Sequence, residues 1–228
     1  MGNGTDTYEV GDRRPLASRQ TRWADRSAAF LAERNVSPNA ISIAGMFFGI
    51  LAGAFLAATP YVDSIPRRIL FLLAVAAVQF RLLCNLFDGM VAVKTHRASR
   101  TGELFNEIPD RVSDPATLIG AGFALGGLPW LGYLAAIMAL FTAYVRAVGK
   151  VAGAQQEFCG PMAKQQRMAV VTIVSLYCAL VPQRWQGGWT SHGFGIMAVA
   201  LAVIVAGSVI TVFRRLFKIS HTLKNSTR

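Results

Sequence analysis

Two polar stretches of this sequence carry carboxylates at the spacing of a helix face. In the first stretch Arg81, Asn85, Asp88 and Ala92 follow one another at steps of four, three and four residues. Those steps place the four side chains on one side of an α-helix. The stretch lies inside a long apolar run, where an acidic side chain is costly to bury and usually marks a functional site.

A second polar face follows shortly after the first. Gly102, Asn106, Asp110 and Asp114 are each four residues apart, so they also share one helix face. Because a short loop joins the two stretches, we expect the two helices to pack as an antiparallel pair. The close approach of their backbones would be allowed by small residues at Gly89, Ala92 and Gly102.

Oxygen ligands gathered in this way suit hard divalent cations such as Mg²⁺, Mn²⁺ or Ca²⁺. The loop between the two faces is basic, with Lys94, Arg97 and Arg100, and would suit a phosphate-bearing substrate. The combination indicates metal-assisted phosphoryl transfer at a membrane surface. The alternative is a structural clamp between two helices, in which Arg81 neutralises Asp88 and no chemistry takes place.

The composition is that of a membrane protein. Of the 228 residues, 53% are hydrophobic and only 15% are charged, whereas a soluble domain carries about 25% charged residues. Lys and Arg outnumber Asp and Glu by 23 to 12, an excess typical either of nucleic-acid binding or of contact with anionic lipid. The basic residues concentrate at the two ends of the chain and between apolar runs. This distribution favours membrane lipids and argues against a nucleic-acid partner.

Six apolar runs predict membrane-spanning helices. They lie near residues 40–58, 69–90, from 102 onward, 129–148, 168–181 and 194–213. We therefore predict an all-α membrane protein whose catalytic domain, residues 37–217, has six transmembrane helices.

The flanking segments are polar or amphipathic. Residues 13–36 alternate basic side chains with apolar ones such as Trp23 and Phe30, which predicts an amphipathic helix on the membrane surface. A solvated helix without membrane contact is the alternative. Residues 1–12 are predicted to be disordered, and residues 218–228 to form a basic cytoplasmic tail.

Basic residues in the short connections predict the orientation. The richer set comprises the N-terminal segment, the connections around Lys94 and Lys164, and the C-terminal tail. The poorer set holds Arg67, Arg68 and Arg184. The richer set is expected to be cytoplasmic, so that both termini and the polar faces lie on the inner side of the cell (inner) membrane.

The polar faces also resemble a known family. The segments NLFDGMVA at 85–92 and GELFNEIPD at 102–110 resemble the signature D-x-x-D-G-x-x-A-R, eight residues, G-x-x-x-D-x-x-x-D of the CDP-alcohol phosphotransferases. The spacing agrees throughout. The segment SPNAIS at 37–42 is similar to the T-P-N-x-x-T that opens the first span in that family.

The resemblance implies an enzyme of phospholipid biosynthesis. Such an enzyme transfers a substituted phosphate from a CDP-linked donor, usually CDP-diacylglycerol, to an alcohol acceptor and releases CMP. By position, Asp110 would be the general base. One or two Mg²⁺ or Mn²⁺ ions would be held by Asp88, Asn85, Asn106 and Asp110. The CDP donor would bind at Asn39, Gly89, Ala92 and Gly102.

Three positions depart from the family pattern. Asn85 and Asn106 stand where the family has aspartates, and Val93 stands where it has arginine. Asparagine can offer a carbonyl oxygen to a metal, but it brings no charge. Compensating carboxylates are available at Asp114, Glu103 and Glu107, and Asp114 is our additional candidate ligand.

Basic residues near the fourth and fifth spans are candidates for the acceptor side. In the family, such residues bind a phosphate of the acceptor, and the corresponding positions here are Arg146, Lys164 and Arg167. They could equally bind a lipid phosphate, or be ordinary basic flanks of membrane helices.

Two other classes of function compete with the enzyme. A catalytically depleted scaffold of the same fold would explain the two asparagines. A small transporter fits less well, because its polar residues should lie near the membrane midplane rather than at one face. Homodimerisation is left open by the sequence.

Overall fold

The computed structural model describes residues 21–95, 100–154, 157–182, 185 and 194–226. Within these ranges the chain forms seven α-helices and no strand, which confirms the all-α prediction. The helices are α1 (Arg22–Glu33), α2 (Pro38–Ala58), α3 (Ser64–Lys94), α4 (Arg100–Phe123), α5 (Pro129–Val151), α6 (Lys164–Leu180) and α7 (Ile196–Ser226).

Each of the six predicted spans coincides with one of the helices α2 to α7. In the part of the chain that the structure describes, four stretches are long and apolar enough to cross a membrane: Pro38–Tyr61, Ser64–Lys94, Pro129–Val151 and Ile196–Asn225. Helices α4 and α6 are not long and apolar enough by the same measure. Helix α4 carries Glu107, Asp110, Arg111 and Asp114 within two turns, and α6 is only 17 residues long.

The N-terminal helix α1 packs on the end of α3. Ala24 and Ala28 are buried, Trp23 meets Phe87 edge to face at 6.0 Å, and Asp25 pairs with Lys94 at 2.7 Å. These contacts fix α1 beside the predicted site. The predicted disordered segment and the first part of the predicted surface helix, residues 13–20, lie outside the described residues.

Helix α2 lies between α3 and α4, and packs closely on both. The expected close approach of the α3 and α4 backbones is wrong for the described residues, because α2 lies between them. The two polar faces nevertheless meet through side chains, Arg81 with Asp110 and Asp114 and Asn106 with Asp88. The glycines that allow the tight packing are on α2 instead. A Cβ at Gly49 would overlap Ser113 of α4 and lie 2.9 Å from Cδ of Arg81, and a Cβ at Gly53 would overlap the backbone at Ala116.

Enlarging Gly53 should loosen this contact. We expect Gly53→Leu to lower the free energy of unfolding by about 3 kcal/mol, because the new side chain would have to displace the α4 backbone. The matched control is Ala54→Leu, since Ala54 is on the same helix and is exposed. Thermal unfolding in detergent measures both variants, and equal shifts would contradict the close approach.

Candidate functional site

One cavity of about 450 Å³ lies among α3, α4, α5, α6 and α7, with Trp23 of α1 at its edge. Its polar lining consists of residues that the sequence pattern singled out together with residues that it did not. The predicted ones are Asn85, Asn106, Asp110, Asp114, Arg146, Lys164 and Arg167. The cavity thus brings together four of the five candidate metal ligands and the three candidate acceptor residues, whereas Asp88 is not among the residues described as lining it.

Arg81 crosses from α3 to α4 beneath α2. Its side chain is fully buried, and its Nε donates a hydrogen bond of 2.8 Å to Ser113. Its Nη2 pairs with Asp114 and lies 3.5 Å from Asp110. The proposed clamp between Arg81 and Asp88 is wrong, because the guanidinium partners belong to α4.

Asp114 is held by two arginines. One carboxylate oxygen pairs with Nη2 of Arg81, and the other accepts a hydrogen bond of 3.0 Å from Arg167 of α6. Arg167 also donates to the Met162 carbonyl at 2.9 Å. Because both oxygens of Asp114 carry guanidinium partners, this carboxylate ties α3, α4 and α6 together, which favours a structural role over metal ligation.

Asp110 presents its two oxygens differently. Both Arg81 and Lys164 pair with Oδ1. Oδ2 has no hydrogen-bond or ion-pair partner among the described residues. Since Asp110 lines the cavity, the carboxylate combines a fixed oxygen with one that remains available to a ligand.

Asp88 is surrounded by neutral donors. Ser42 donates a hydrogen bond of 2.7 Å to its Oδ2, Asn106 approaches the same oxygen at 3.4 Å, and the Gly89 backbone N–H donates to Oδ1. The amide nitrogen of Asn85 donates a hydrogen bond of 2.9 Å to the Arg81 carbonyl. Its amide oxygen has no such bond within the described part of the chain.

The acceptor side of the cavity is a cluster of cations. Arg146 pairs with Glu107 at 2.6 Å, and its guanidinium lies 5.4 Å from the centre of the Phe158 ring. Glu107 pairs with Arg111 as well. Both oxygens of Glu107 are thus paired with arginines. The side chain of Glu103, the other acid named as a possible compensating carboxylate, lies outside the described residues.

The expected donor-binding residues stand apart from the cavity walls. Gly89 contacts Asp88 through its N–H. Asn39, Ala92 and Gly102 are half-buried near the ends of α2, α3 and α4 that meet there, and none of the four is among the residues described as lining the cavity.

Sequence reasoning missed several contacts. Ser42 ends the SPNAIS segment, so its position in that motif was a usable signal. No such signal pointed to Arg215, because it lies in a basic stretch typical of the flank of a membrane helix. In the structure Arg215 is buried, lines the cavity and donates to the Thr142 and Cys159 carbonyls at 2.6 and 3.0 Å.

Oxygen donors of the kind that hard divalent cations accept lie at this end of the protein. Within the described ranges, no group of three His, Cys, Asp or Glu side chains is arranged to hold a metal. Two carboxylates and two amide oxygens are nevertheless present, from Asp88, Asp110, Asn85 and Asn106, and hard cations such as Mg²⁺ and Mn²⁺ accept both kinds of ligand.

Comparison with known proteins gives consistent matches. The family model of CDP-alcohol phosphatidyltransferase matches residues 35–217. Inner membrane protein YnbA of Escherichia coli is 26% identical over 174 residues, covering 75% of this chain and 82% of that protein. Phosphatidylinositol phosphate synthase of Streptomyces avermitilis is 27% identical over 209 residues, covering 86% and 77%.

Solved structures share the fold. The phosphatidylinositol phosphate synthase of Mycobacterium tuberculosis with CDP-DAG bound superposes with a TM-score of 0.65 at 18% identity, covering 89% of this chain and 94% of that one. The same enzyme in complex with manganese and citrate gives 0.65 at 17% identity, covering 86% and 88%.

Proposed function

The chain belongs to the CDP-alcohol phosphatidyltransferase family, and we propose that it transfers a phosphatidyl group from CDP-diacylglycerol to a phosphorylated alcohol, releasing CMP. The observation that carries the proposal is Asp110, which has one oxygen held by two cations and the other available at the cavity. A carboxylate so placed is suited to act as a base on a bound hydroxyl.

Asp110 would act on the acceptor. Its Oδ2 takes the proton of the acceptor hydroxyl while the alcohol oxygen forms a bond to the phosphorus of the donor's phosphatidyl group. The bond between that phosphorus and the bridging oxygen breaks, and CMP leaves with the electron pair. Arg81 and Lys164 orient the carboxylate through Oδ1.

A divalent ion, Mg²⁺ or Mn²⁺, would be held by Asp88 together with the amide oxygens of Asn85 and Asn106, which leaves Oδ2 of Asp110 for the acceptor hydroxyl. When bound, it would neutralise charge on the donor pyrophosphate. The manganese complex of the M. tuberculosis synthase supports this assignment. We assign Asp114 a structural role, because two arginines already occupy its oxygens.

The donor is proposed to bind beside Asp88. Asn39 lies one turn before Ser42, which contacts Asp88 directly, and Gly89 follows Asp88 in the chain. Ala92 and Gly102 lie where α3 ends and α4 begins. Their small side chains would leave room for the cytidine and the pyrophosphate.

The acceptor is proposed to carry a phosphate. Arg146, Lys164 and Arg167 line the cavity beside Asp110, together with Arg111 and Arg215, and arginines bind phosphate through paired N–H donors. The S. avermitilis relative is a phosphatidylinositol phosphate synthase, so its product bears an additional phosphate.

This transferase is an integral membrane protein, and we propose that α4 and α6 also cross the membrane. The acids Asp110 and Asp114 of α4 are buried within the protein rather than exposed to lipid, and 17 residues are the shortest length that spans. We propose that the site and both termini lie on the cytoplasmic side, which the excess of basic residues in the connections on that side supports. Helix α1 would then lie on the membrane surface.

The second candidate is a non-catalytic scaffold of this fold, favoured by the uncharged Asn85 and Asn106. CMP release from CDP-diacylglycerol, measured with Mg²⁺ or Mn²⁺ and a panel of phosphorylated and free alcohols, separates the two. Metal-dependent CMP from some acceptor is expected for the enzyme, and none from any acceptor for the scaffold.

Asp88→Asn should lower this CMP release on the order of 100-fold, because the variant removes the charge that holds the ion. Asp25→Asn is the matched control, since Asp25 is an exposed acid of α1. Near-normal CMP release from Asp88→Asn would remove Asp88 from the site.

A further inference from the structure

We infer that this site takes a single divalent cation, at Asp88, and that Lys164 and Arg81 supply the positive charge on Asp110 that a second ion would otherwise provide. The inference rests on the proposed function, because it concerns the ion that would act there. It also gives Lys164 a positioning role on Asp110, distinct from the binding of an acceptor phosphate.

The surroundings of Asp88 call for an ion. This carboxylate is buried on α3, and its partners are a hydroxyl, an amide and a backbone N–H. No cationic side chain within the described residues pairs with it. A buried carboxylate needs a counter-charge, which a divalent cation would provide.

The surroundings of Asp110 are the opposite. Its Oδ1 pairs with the ammonium of Lys164 and with Nη2 of Arg81. The Lys164 side chain is largely enclosed, so solvent screens its charge only in part. A second divalent ion bound against Asp110 would be repelled by both groups at short range.

The distribution of charge agrees with one ion. Asp110 and Asp114 are matched by Arg81, Lys164 and Arg167, whereas Asp88 has no cationic partner among the described residues. The two positions where a further acid would favour a second ion hold Asn85 and Asn106, which bring oxygen atoms but no charge.

Counting bound Mn²⁺ tests the inference without any turnover. The detergent-purified full chain is titrated with Mn²⁺, and free Mn²⁺ is followed by its electron paramagnetic resonance. We expect one tightly bound ion per chain, with the six-line spectrum of an isolated Mn²⁺, and loss of that ion in Asp88→Asn. Two bound ions per chain, or a spin-coupled pair, would overturn the inference.

Variants of Lys164 test the part of the inference that concerns the positive charge at Asp110. Removing the ammonium in Lys164→Gln should raise Mn²⁺ affinity about tenfold, because a nearby positive charge no longer repels the ion. Lys164→Arg should behave like the wild type. Lys150→Gln, on the exposed face of α5 and away from the cavity, is the matched control. Unchanged Mn²⁺ affinity in Lys164→Gln would contradict the inference that the ammonium group repels an ion at this site.

A gain-of-site variant makes the comparison sharper. The triple variant Asn85→Asp, Asn106→Asp and Lys164→Gln should bind a second Mn²⁺. The double variant Asn85→Asp and Asn106→Asp, which keeps Lys164, should bind only one Mn²⁺, with higher affinity than the wild type. A second ion in the double variant would show that Lys164 does not exclude it. Failure of the proposed function is separate, since absent CMP release would leave the ion count intact.

Discussion

Asp110→Asn is expected to lower CMP release about 1,000-fold while leaving the protein folded. A general base contributes on the order of 100- to 10,000-fold, and asparagine cannot accept the proton of the acceptor hydroxyl. The amide keeps the size of the carboxylate and can still accept a hydrogen bond from Arg81 or Lys164 through one atom. The loss should therefore fall on the rate with saturating acceptor rather than on retention of the fold.

The measurement is the initial rate of CMP release with CDP-diacylglycerol and the best acceptor of the panel. Asp63→Asn is the matched control, because Asp63 is an exposed acid at the other end of α3. Elution as a single species in detergent excludes misfolding. If Asp110→Asn releases CMP at a near-normal rate, another group is the base and the available oxygen of Asp110 has a different purpose.

Asp114→Asn should produce the largest loss of stability among the site variants. The carboxylate lies between Arg81 and Arg167, and all three side chains are buried. Removing one partner of a buried ion pair leaves uncompensated charge in a medium of low polarity. Such a change costs about 3–5 kcal/mol, so we expect a loss of unfolding free energy of that size.

Thermal unfolding in detergent measures this effect. Glu107→Gln is the control on the same helix, because Glu107 also pairs with two arginines but its side chain is half exposed. Exposed pairs are worth about 1 kcal/mol or less, so its unfolding temperature should change little. Similar small shifts in both variants would mean that Asp114 does not hold the three helices together.

Much of the helical plan follows from local sequence. The apolar runs end at prolines, glycines and charges, and the six predicted spans correspond to α2 through α7, although α7 continues past the predicted end at residue 213 into the predicted tail, as far as Ser226. Periodicity also places Asp88 with Asn85, and Asp110 with Asn106, on their own helix faces. These are properties of single helices, and a single helix is what a period of 3.6 residues describes.

The arrangement between helices was not predictable in the same way. Small residues at Gly89, Ala92 and Gly102 suggested that α3 and α4 meet directly, but glycines of α2 allow the close contacts instead. The spacing of small residues along one helix does not determine which of several such faces a neighbouring helix packs against.

The partner of Arg81 was missed for a related reason. An arginine side chain extends several ångströms from its backbone, so its partner can lie on another helix than the nearest acid in sequence. Asp88 is seven residues away on the same helix, yet the guanidinium reaches Asp110 and Asp114 of α4. Spacing along one chain segment does not determine that choice.

The missing side chain at Gly49 has a consequence for how this protein can vary. The space that a Cβ at position 49 would fill is bounded by Cβ of Ser113 and by Cδ of Arg81, which would lie 2.9 Å away, so residue 49 is packed against both side chains. A larger residue at position 49 would have to displace both side chains, and a displaced Arg81 would weaken one of the two guanidinium contacts of Asp114. Change at a buried glycine of α2 is in this way coupled to the charge balance of an acid on α4.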